Sequence, residues 1–69
     1  MKKINSFQWI TKNGKIGIEK IAVNDSATKF IYNVCDVSDQ YGLRHFEAFE
    51  SFELLREAKE QAGLLTWLI

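Results

Sequence analysis

Residues 43–63, LRHFEAFESFELLREAKEQAG, hold the change of period on which the fold turns. Residues 43–49 read as a strand. Ser51 then offers a hydroxyl to a free amide of a first helical turn, and Glu53 suits the positive end of a helix dipole. At 100° per residue, Leu54, Leu55, Ala58 and Ala62 fall on one narrow face, with Phe52 at its edge. Glu53, Glu57 and Glu60 fall on the opposite face beside Arg56. Gly63 fits the left-handed position just past a helix end. The spacing predicts one helix ending near Ala62, a one-sided lid with an acidic outer stripe.

Upstream the period is that of sheet. Residues 7–11 (FQWIT) and 16–23 (IGIEKIAV) flank Asn13-Gly14, a pair that predicts a type I′ hairpin turn because both central residues need positive φ. Ile16 and Ile18 share one face while Ile21 and Val23 have the other parity; either a bulge near Glu19 and Lys20 reconciles them or both faces are part-apolar. Asn24-Asp25-Ser26 reads as a turn. Residues 28–37 (TKFIYNVCDV) are apolar on both faces, as in a central strand, and residues 38–42 read as the next turn. Residues 1–5 read as a charged lead or a strand end. Residues 64–69 (LLTWLI) have five apolar side chains in six and predict a short edge strand or an apolar tail docked on this chain or another. The expected fold is α+β: an antiparallel sheet of three to four strands with one helix on one face (β-β-β-β-α, with a possible short C-terminal strand), in one domain over residues 1–69.

At 46% apolar and 26% charged the composition is that of a globular chain rather than a disordered one. A core of this size stabilises thinly, so a staple is expected. One cysteine excludes an internal disulfide, and with one histidine it cannot assemble a Cys/His zinc site. No metal or cofactor is expected, which leaves oligomerisation. Net charge is zero, but residues 1–20 carry five lysines against Glu19, so the first hairpin is basic while the helix is acidic. No apolar run of signal-peptide length follows Lys2 and Lys3, and no stretch approaches the ~18 residues of a membrane span. The expected location is cytoplasmic, and the lone Cys35 fits a reducing compartment.

Chemistry is weakly signalled. Asp36 and Asp39 flank a turn and read as solvated rather than as a catalytic carboxylate pair, His45 has no nameable nucleophile to serve as a base, and Cys35 reads as a buried inert thiol in mid-strand. Gly14 and Gly17 lack the further glycines of a phosphate loop. The expectation is a non-enzyme. An acidic stripe with Glu47 and Glu50 leading into it reads as a solvated face or a dock for a basic partner. One alternative is nucleic-acid binding through the basic hairpin at residues 12–20, with Lys12, Lys15, Lys20 and Arg44 on phosphates and Trp9 stacking on a base. The strand order and the run Phe49-x-Ser51-Phe52-Glu53-Leu54-Leu55-Arg56-Glu57-Ala58 resemble the small arm-type or AP2-like DNA-binding domains of phage-type integrases. That resemblance implies a three-stranded sheet, a following helix and a DNA partner.

The favoured reading rests on surplus apolar surface. Two leucines and two alanines cannot cover both faces of a sheet that has Phe30, Tyr32 and Val34 on one side and Ile31, Cys35 and Val37 on the other. The sequence therefore predicts a small interaction module, of the kind found among phage, mobile-element or bacterial accessory and regulatory proteins. It binds another protein, and homodimerises, through the uncovered face and the C-terminal tail. The expected contacts are Tyr32, Leu65, Trp67 and Ile69.

Overall fold

The computed structural model describes residues 1–68, and only the backbone at Leu68. Five strands form one antiparallel sheet in chain order, β1 (Lys2–Asn5), β2 (Gln8–Ile10), β3 (Ile16–Ala22), β4 (Phe30–Gln40) and β5 (Leu43–Phe52), followed by the helix α1 (Leu55–Leu68). The class is α+β, as the sequence indicates, but the sheet has five strands rather than three or four. The added strand is the charged lead. Lys2 and Lys3 of β1 pair with Ile10 and Trp9 of β2, and their positive side chains protect this edge from further pairing.

The connections differ from expectation in instructive ways. Only Gly14 of the Asn13-Gly14 pair has positive φ. Residues 11–15 form a wider loop, in which the Gly14 amide donates to the Thr11 carbonyl at 2.9 Å. The buried Thr11 hydroxyl donates to Asn13 Oδ1 at 2.7 Å and accepts from the Ile16 amide. A two-residue turn with positive φ at both positions occurs instead at Tyr41-Gly42, between β4 and β5. Asn24 closes the β3–β4 loop by accepting from the amides of Thr28 and Lys29. Strand β3 pairs with β4 without interruption from Ile16 to Ala22, so of the two alternatives the bulge at Glu19 and Lys20 is absent and both faces of β3 are part-apolar. The bulge lies in β5, where Val34 pairs with Glu50 but Cys35 pairs with Ala48, leaving Phe49 as the extra residue.

One face of the sheet holds Trp9, Ile16, Ile18 and Val34, and α1 lies across it. The helix contributes Ala58 and Ala62, both fully buried, with Leu55 and Leu65 packed beside them. The buried spacing 55, 58, 62, 65 repeats every three to four residues, as an apolar helical stripe must. It also explains why the helix passes through Gly63: stopping there would forfeit Leu65. The Thr66 hydroxyl donates to the Ala62 carbonyl at 2.8 Å, which places residues 62–66 within the helix. Ser51 is accordingly no N-cap. It lies in β5 and donates to Asn33 Oδ1, while the Leu54 carbonyl accepts from the Ala58 amide. Among the described residues, nothing beyond the helix's own neighbouring backbone lies within 4 Å of a Cβ added at Gly63. Gly63→Ala is therefore expected to stabilise the protein by about 0.5–1 kcal/mol, read as a rise in denaturation midpoint.

The second face carries Ile10, Gly17, Cys35, Val37, Phe46 and Ala48. It is not left bare. Val37 and Phe46 lie over Gly17, and Cys35 is fully buried. The far part of β4–β5 supplies this cover around Gly17 and Cys35, while Ile21 and Ile31, on the same face toward its other end, stay partly exposed.

Candidate interaction surface

Exposed large apolar side chains are scattered over the fold, at Met1, Phe7, Ile21, Val23, Tyr41 and Leu54 among others, but two places bear on binding. The first is the outer side of α1 near its C-terminal end. Leu64 and Trp67 are spaced by three, so they stand on one side of the helix, away from the Leu55–Ala58–Ala62–Leu65 stripe. Trp67 is 86% exposed and Leu64 59% exposed. Glu57 and Glu60, also exposed, lie on the same side. The second is β5, the outer strand of the sheet, where Leu43 and Phe49 are exposed.

The residues expected to bind a protein partner fall into different settings. Tyr32 lies on the helix-covered face, half-buried, with its ring edge-on to Trp9 at a centroid distance of 6.2 Å. It is not part of an uncovered face. Leu65 is half-buried against the core. Trp67 is free. Ile69 lies outside the described residues.

The expected nucleic-acid contacts are likewise divided. Trp9 is 7% exposed and sits inside the core, so its ring is not presented for stacking on a base. Lys20 Nζ lies 4.2 Å from the centre of the Phe30 ring, a cation–π contact on the helix side of the sheet. Lys15 is exposed in the loop. Lys12 and Arg44 do come together. With Lys2 they line an open cavity of about 490 Å³ whose other walls include Ile10, Thr11 and Gly14. Lys2, in the charged lead, is not among the contacts expected from the sequence. The signal for it is strand register, since Lys2 pairs directly with Ile10 and so shares its face. Asp39 stands opposite Arg44 on β4 and tempers the positive field there.

The residues weighed for catalysis are dispersed. Asp36 and Asp39 lie within β4, three residues apart, and therefore point to opposite faces. Asp36 pairs with Glu47, and His45 pairs with Ser38. Burial, with smaller contributions from Glu19 and Asp36, pushes the Cys35 thiol up to about 11. It is held protonated at neutral pH and is a poor nucleophile. Among the described residues, no group of three or more His, Cys, Asp or Glu is placed to hold a metal ion. No helix among them is long and apolar enough to cross a membrane. The chain matches no protein-family model, no curated protein and no solved structure.

Proposed function

We propose that this chain is a non-enzymatic, cytoplasmic interaction module, and that the exposed end of α1 is where it binds another protein. The observation that carries the reading is Trp67, which stands in solvent on a helix whose opposite side already fills the core. A solvent-exposed tryptophan contributes nothing to folding through burial, yet tryptophan is the side chain most enriched at binding hot spots. Leu64 widens the apolar patch. Glu57 and Glu60 give it an acidic margin, which fits a partner with an apolar pocket and a basic rim.

Photo-crosslinking tests this. A benzophenone side chain at position 67 is expected to give a discrete adduct with one partner in the source cells. The adduct should disappear in Leu64→Glu and should not form from a probe at the exposed Lys29. Equal labelling from both positions, or none from position 67, would remove the proposal. A second reading, nucleic-acid binding, is favoured by the convergence of Lys2, Lys12 and Arg44 on one cavity. Zero net charge and the burial of Trp9 weigh against it. It would prevail if duplex DNA bound at low salt, with affinity falling steeply as salt rises and lost in Arg44→Glu.

A further inference from the structure

The two edges of the sheet are unlike. The outer edge of β1 is four residues long and carries Lys2 and Lys3. The outer edge of β5 is ten residues long and is built from LRHFEAFESF. In a two-residue hairpin the residues flanking the turn exchange both their hydrogen bonds, and bonding then alternates along the ladder. Gln40 and Leu43 flank the Tyr41-Gly42 turn. Hence Leu43, His45 and Glu47 turn their amides and carbonyls toward β4. Arg44, Phe46 and Ala48 turn theirs outward. The Val37 amide confirms the phase: it donates to the Lys15 carbonyl on the β3 side at 2.9 Å, and so leaves its cross-strand partner Phe46 unbonded.

We propose that β5 is a self-complementary edge, and that two copies of this chain pair their β5 strands antiparallel about a twofold axis at Phe46. Outward groups must meet outward groups, so the axis has to pass through a residue rather than between residues. Centred on Phe46, the pairing gives Phe46–Phe46 and, twice each, Arg44–Ala48, His45–Glu47 and Leu43–Phe49. The three outward pairs exchange about six backbone hydrogen bonds. The non-bonded pairs, whose side chains approach most closely, place an imidazole N–H against a carboxylate and one exposed apolar side chain against another. Shifting the axis to His45 sets imidazole against imidazole and Leu43 against Glu47. Shifting it to Glu47 sets carboxylate against carboxylate. The charges therefore favour this register over its two neighbours.

A carboxylate at position 47 already faces Asp36 across β4. Like charges directly opposite are unfavourable, and a donor arriving from a second copy relieves them. Twofold pairing also closes the assembly. It consumes both β5 edges and leaves outermost the lysine-bearing β1 edges, so the product is a dimer and not a fibre. This interface is separate from the Leu64–Trp67 patch, and either can stand without the other.

Sedimentation equilibrium from micromolar to near-millimolar concentration, combined with amide exchange by NMR, tests the proposal. The wild type is expected to dimerise, with the Arg44, Phe46 and Ala48 amides gaining protection as concentration rises. His45→Glu places glutamate against glutamate twice and is expected to weaken the dimer at least about tenfold. The exchanged variant His45→Glu/Glu47→His restores the pairing and should return affinity to within a few-fold of wild type. Both positions are exposed, so the variants keep the fold, checked by circular dichroism. A wild type that stays monomeric throughout, a dimer indifferent to His45→Glu, or protection gained away from β5 would overturn the proposal.

Discussion

Trp9→Ala is expected to remove about 3–5 kcal/mol of stability, whereas Trp67→Ala should leave it within about 0.5 kcal/mol. The two indoles are chemically identical and differ only in what surrounds them. Trp9 is on β2, enclosed by Ile18, Ile16, Val34 and the helix, with Tyr32 set edge-on against its ring. Alanine there forfeits the largest aromatic contact in the core and leaves a cavity that a sheet cannot collapse to fill. Global stability at this size is roughly 3–10 kcal/mol, from about 0.05–0.15 kcal/mol per residue. A loss of 3–5 kcal/mol therefore takes away about 30% or more of it, and at the lower end leaves the chain largely unfolded. Thermal and urea denaturation followed by circular dichroism give both values. A large loss in Trp67→Ala would show that its ring is buried, and would remove the support for α1 as a docking helix.

The contrast between these tryptophans depends on features that residue patterns do not carry. Alternation of apolar side chains makes β3 and β4 visible in the sequence, and the switch from period two to period 3.6 after Phe52 makes the helix visible. Neither pattern says which of two tryptophans is covered, because each lies beside apolar neighbours. Trp9 is placed by pairing with Ile18, and Trp67 by lying three residues after Leu64 on the side of α1 opposite Leu65. Both depend on register and helix extent. Helix extent was misread because Gly63 carries a stop signal locally, and burial of Leu65 overrides it. Strand β1 stays undecided between a charged lead and a strand end in the sequence because four residues with one apolar side chain show no period. The parity change within β3 fits either a bulge or a strand apolar in part on both faces, and the residue pattern does not choose between them. Ile21 stands at the exposed end of the strand and needs no bulge.

Gly17→Ala is expected to destabilise the protein by about 1–3 kcal/mol, which for a chain of this size lowers the melting temperature by roughly 5–20 °C. The ordinary expectation has the opposite sign. Glycine in a strand interior costs about 0.5–1 kcal/mol relative to alanine, so its replacement should help. Gly17 is not among the glycines with positive φ, so backbone conformation does not require it. What requires it is the second face. A Cβ at Gly17 would stand 2.5 Å from Phe46 Cε2, 2.9 Å from Val37 Cγ2 and 3.0 Å from the Trp9 carbonyl oxygen. The Phe46 ring can swing aside, but doing so uncovers the face that it and Val37 close. The carbonyl belongs to the β2–β3 ladder and cannot yield. If this is the cause, the penalty must shrink when the ring is trimmed. In a double-mutant cycle with Phe46→Leu, the coupling is expected to be at least about 0.5 kcal/mol in the direction of rescue. Additive losses would mean that Gly17 and Phe46 act independently. A gain in stability from Gly17→Ala alone would mean that the ring does not rest on β3 at all, and that the second face is open after all.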